Sequence, residues 1–90
     1  MEINFFDDCE IAMEGDLVDA RRRFVSESTV AVEIHLKPGG EIPEHDTPES
    51  VIFYVLEGTG LLCINGETVQ AVPGAVAHCP SNILKSVKNN

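Results

Sequence analysis

Apolar and polar residues alternate with a period of two over residues 29–36, with Val30, Val32, Ile34 and Leu36 on one face and Thr29, Ala31, Glu33 and His35 on the other. This is the pattern of a strand covered on one side. Residues 51–56 form an uninterrupted run of apolar, β-branched and aromatic side chains bounded by turn formers, which predicts a strand covered on both faces. Residues 61–64 and 67–72 flank Asn65-Gly66, a pair suited to a two-residue hairpin because both turn positions need positive φ. Pro73-Gly74 predicts a turn, residues 75–79 a strand, Pro80-Ser81-Asn82 another turn and residues 83–88 a last strand. Several short strands with frequent turns and no long helical period predict an all-β sandwich or barrel.

Two segments resist the pattern. Residues 1–19 mix apolar and acidic side chains with no sustained period, and receive only a short turn that Asp16 would cap ahead of Leu17 and Ala20. Residues 20–26, ARRRFVS, would suit a helix on propensity alone. Their three arginines read as solvated, charge-balancing positions, with an anion contact from one of them as the alternative.

Ninety residues make one domain with a modest core, so association into a homodimer is expected. Six basic against fifteen acidic residues give a net charge of -9, which repels phosphate backbones and anionic lipid headgroups. Nucleic acid and membrane are therefore not the expected partners. No apolar run approaches bilayer-spanning length and the N-terminal residues are acidic, so a cytoplasmic protein is expected. Three scattered cysteines, Cys9, Cys63 and Cys79, lack CxxC spacing and read as reduced, the last two as small buried apolar residues.

The stretch over residues 39–60 organises the rest. Gly39 and Gly40 permit backbone angles or close approaches that side chains forbid, Pro43 and Pro48 stiffen a loop carrying His45, and Glu57-Gly58-Thr59-Gly60 turns the chain back. With the stretch over residues 74–89, it resembles the two signature motifs of the cupin superfamily. Gly39, His45, Pro43 and Gly58 fall on the marks of the first motif, and Gly74, Pro80 and Asn89 on those of the second. The resemblance covers about Arg21 to Asn89. It implies a small jelly-roll barrel, favours a strand over residues 20–26, and implies at least one more strand after the second motif. A missing strand would leave an edge open, to be covered by a partner subunit or by a longer chain.

Cupins usually hold a divalent metal through three histidines and a glutamate from these motifs, and here the resemblance breaks down. Thr47 stands where the second histidine belongs, Ser50 or Val51 where the glutamate belongs, Lys85 where the third histidine belongs, and Asn82 replaces a glycine. An ammonium is no metal ligand, and a hydroxyl is a weak one. No cofactor is therefore assigned. The candidate pocket residues are His45, Thr47, Glu49, His78 and Lys85, with Glu44 and Asp46 as solvated loop charges beside them.

His45 could ligate a metal, act as acid or base, or hydrogen-bond a loop carbonyl. Ile83, Lys85 and Val87 alternate onto the face that points inward in relatives. Lys85 would then replace the metal's charge, pairing with Glu49 or holding a ligand's carboxylate or enolate; its alternative is to reach solvent through the open edge. His78 shares a face with Val76, and reads as a satisfied core histidine or, if metal binds, as a ligand with His45 and Glu49. His35 falls on a polar face as a surface histidine.

Two functions stay open: a metal-independent cupin binding a small, anionic molecule, and a cupin enzyme of dioxygenase or isomerase type using iron, zinc, manganese or nickel at a rearranged site around His45. A third role is a subunit whose filled barrel serves assembly. No other catalytic motif is present.

Overall fold

The computed structural model describes residues 3–90, and among them there are nine strands, one short 3₁₀ turn at Phe6–Asp8, and no helix long and apolar enough to cross a membrane. The strands are β1 (Glu10–Glu14), β2 (Val18–Val25), β3 (Val30–Leu36), β4 (Glu41–His45), β5 (Val51–Tyr54), β6 (Gly60–Ile64), β7 (Glu67–Ala71), β8 (Val76–Cys79) and β9 (Lys85–Lys88). Every pairing is antiparallel, in three sheets: β1-β2-β3, β4-β9-β6-β7 and β5-β8. This is a jelly roll left open between its sheets. The expected strand over residues 20–26 is β2, which begins earlier, at Val18.

Local chemistry explains the turns. Asn65 and Gly66 both take positive φ, 52° and 80°, as the two-residue hairpin between β6 and β7 requires. Gly40 serves close approach, since a Cβ there would lie 2.5 Å from the Leu17 carbonyl oxygen. Asp16 sits in a short turn. This is the turn of the β1–β2 hairpin, closed by the Gly15 N–H donating to the Val18 carbonyl at 2.9 Å.

Ion pairs lie along β2 and tie it to β1 and β3. Arg21 reaches Asp19 (2.8 Å), Arg22 reaches Glu10 (2.9 Å) and Arg23 reaches Glu33 (2.6 Å), so the arginines balance charge within the chain. Phe6 lies flat against the exposed His35 ring, centroids 4.3 Å apart, with the Arg21 guanidinium 5.2 Å from the Phe6 ring.

Two expectations about the strands are corrected. The apolar face of β3 is not covered: Val30, Val32 and Ile34 remain exposed because the jelly roll is open above them. β5 is covered on one face only, since Ile52 (68 % exposed) and Tyr54 (64 %) point outward where nothing packs against the β5-β8 ladder. β9 runs between β4 and β6, so the sheet's edges fall on β4 and β7. Buried side chains among the described residues are few: Ala20, Ile42, Leu62, Cys79 and Lys85. Cys63 is half-buried rather than buried, and all three cysteines are free.

Candidate functional site

The site begins with a bulge. Ile42 pairs with Val87 and His45 with Lys85, so Pro43 and Glu44 of β4 stand opposite Ser86 alone. Strict alternation would send His45 to the face opposite Ile42; the extra residue brings both to the inner face, where both line the groove between the sheets. Proline suits this position because it has no N–H to offer a ladder. Its carbonyl accepts from the His45 Nδ1 at 2.9 Å. A carbonyl only accepts, so Nδ1 carries the proton and Nε2 is the ring nitrogen left free.

Lys85, directly across from His45, is 2 % exposed. Its Nζ donates to the Thr47 Oγ1 at 2.9 Å, and Thr47 in turn donates to the Glu49 backbone carbonyl at 3.0 Å. With its own proton committed, the Thr47 oxygen presents a lone pair to the ammonium. No carboxylate among the described residues forms an ion pair with Lys85. The loop that holds Thr47 is itself braced, because the Asn82 N–H donates to the Thr47 carbonyl at 2.8 Å. Asn82 has φ +62°, a left-handed conformation that asparagine tolerates better than most residues, which is how it serves at a glycine position.

The structure therefore brings His45, Thr47 and Lys85 together and leaves out two candidates. The Glu49 side chain is exposed and contributes only its backbone carbonyl, so the expected Lys85–Glu49 pair does not form. His78 is exposed opposite Ile52 on the outer face of β5-β8, neither a core histidine nor a groove residue. β8 turns Ala77 and Cys79 inward instead. Among the described residues no three His, Cys, Asp or Glu side chains converge, so the conditional ligand set of His45, Glu49 and His78 is not assembled. The residues at the motif positions, a lone imidazole beside an ammonium and a committed hydroxyl, do not suit a divalent ion.

The groove has a volume of about 230 Å³. Beyond the polar side chains of His45, Thr47, Lys85 and Ser86, its walls include Met13, Val32, Ile34, Ile42, Phe53 and Val87. A larger hollow, about 400 Å³, lies beside the β1–β2 turn and is lined by charged groups including Asp16, Asp19, Arg21 and Lys37. Its best-buried charge is already answered: the hydrogen bond from Arg21 to Asp19 raises the guanidinium's pKa above its ordinary value, against an opposing effect of burial. The smaller groove is where a buried charge lacks a counterion.

These features define a small jelly-roll container with a groove between its sheets. The Cupin domain family model matches residues 32–90, and the chain belongs to the cupin family. Among solved structures, an RmlC-like cupin from Shewanella frigidimarina superposes with a TM-score of 0.85 at 21% identity, covering 97% of this chain and 78% of that one. A predicted oxalate decarboxylase from Thermotoga maritima gives 0.82 at 20% identity over 98% and 87%. The polyketide cyclase RemF from Streptomyces resistomycificus gives 0.80 at 20% identity over 100% and 70%. At such identities the likeness is one of fold. No curated protein matches the chain.

Proposed function

We propose that this cupin binds a small anionic molecule in the groove between its sheets, with the negative group seated against the Lys85 ammonium. One observation carries the reading: Lys85 is almost fully buried, and its only hydrogen-bond partner among the described residues is the neutral Thr47 hydroxyl. A buried cation is costly unless an anion accompanies it, so a ligand's carboxylate or phosphate would supply what the fold omits. Lys85 stands at the position of a metal-binding histidine in other cupins, and its charge takes over the role of the ion. The metal-enzyme reading would require Glu49 and His78 to leave the exposed positions they hold and enter the groove.

Titration of the purified chain with a panel of small acids, followed by calorimetry, tests this. Charge-assisted hydrogen bonds contribute about 1.5–3 kcal/mol, so Lys85→Met should weaken the best acid by about 10- to 100-fold. Unchanged affinity in the variant would remove the proposal.

A further inference from the structure

We infer that the ligand is an amphipathic monocarboxylate: a single negative head at Lys85 carrying an alkyl or aryl tail of modest size. The inference rests on the anion-binding reading and adds the chemistry of the rest of the molecule. The polar groups of the groove are gathered where β4 ends and β9 begins, with His45 opposite Lys85, Thr47 bonded to its Nζ and Ser86 next along β9. One pair further along the same ladder the lining becomes Ile42 and Val87, and the facing wall from β1 and β3 offers Met13, Val32 and Ile34, with Phe53 from β5. None of these tail-contacting side chains carries a hydrogen-bonding oxygen or nitrogen.

That wall discriminates by subtraction. Each hydroxyl of a sugar acid laid against it would give up water for no partner, at a loss of roughly tenfold in affinity. A dicarboxylate would bring a second charge to a groove that holds one ammonium. Apolar carbon is the chemistry the wall accepts. Val32 (43 % exposed) and Ile34 (37 %) lie partly open in the absence of ligand, so a tail covering them would remove apolar surface from water. An apolar cavity of about 150 Å³ holds benzene, so in proportion this groove suits about nine non-hydrogen atoms, the size of benzoate or heptanoate.

Calorimetric titration of the full chain with acetate, butanoate, hexanoate, octanoate, benzoate, glucuronate and succinate, and with 1-hexanol as the uncharged control, separates the inference from the reading beneath it. The expected result is an affinity rising about fourfold per added methylene until the groove is filled, with hexanol weaker than hexanoate and the difference lost in Lys85→Met. A Val32→Ser variant should flatten that rise and leave acetate unchanged. Glucuronate or succinate binding as tightly as hexanoate, still through Lys85, would overturn the amphipathic ligand and leave the anion site standing. Acids that bind equally well with and without Lys85, or no acid binding at all, would overturn both. Circular dichroism of each variant confirms that it is folded.

Discussion

At the scale of single residues, Lys85 and Thr47 divide one task. On the proposed reading the ammonium awaits an anion at a cost to the folded state, because it has left water for one neutral side-chain hydrogen bond. Lys85→Met keeps the volume and discards the charge, so this variant should be as stable as the parent or more stable, by about 0–2 kcal/mol in urea unfolding, while losing its ligand. A loss of more than about 1 kcal/mol would mean that the charge is compensated after all. Thr47 should behave oppositely. Thr47→Val deletes the oxygen that faces the ammonium and the donor to the Glu49 carbonyl, and should cost about 1–3 kcal/mol, whereas Thr47→Ser retains both and should stay within about 1 kcal/mol.

At the scale of elements, the site depends on two irregularities, the β4 bulge and the turn containing Asn82. Asn82 at φ +62° should accept glycine with little change, but valine there would pay left-handed strain of about 1–3 kcal/mol and loosen the brace on the Thr47 carbonyl. Asn82→Val should therefore weaken acid binding as well as lower the melting temperature; a variant with normal binding would separate the turn from the site. The same two places show what could be read in advance. The Asn65-Gly66 hairpin was legible because its cause is local, two adjacent residues suited to positive φ. The strands expected over residues 51–56, 61–64 and 75–79 were legible from period and punctuation, and form over 51–54, 60–64 and 76–79. The bulge was not, since a two-for-one pairing across β4 and β9 leaves no mark on either strand's own pattern, and Pro43 beside His45 was its only trace. The direction of His78 was not legible either, because it depends on which face of β5-β8 the rest of the fold covers. Lys85 facing inward followed from the resemblance to cupin motifs rather than from its own chemistry.

At the scale of the whole molecule, an anion approaching the groove meets a chain of net charge -9. Two fields oppose each other here and respond differently to salt. The surface field reaches across a Debye length and is screened, while the Lys85 charge acts at contact in a dry setting and is screened much less. Raising ionic strength from about 0.01 to about 0.1 M shortens the Debye length from about 30 to about 10 Å, so the association rate of an acid should rise, the reverse of a basic binding protein. Stopped-flow association that slows with salt would show that Lys85 steers from a distance.

The placement of β9 between β4 and β6 also orders events in time. Residues 85–88 are hydrogen-bonded on both sides, to a strand some forty residues upstream and to one some twenty upstream, so the four-stranded sheet has a gap at its centre until they arrive. On a ribosome working at about 5–20 residues per second, β4 and β6 emerge seconds before the strand that joins them, with their facing edges unfilled meanwhile. The proposed anion site, shared between β4 and β9, is thus incomplete until synthesis has passed Lys85.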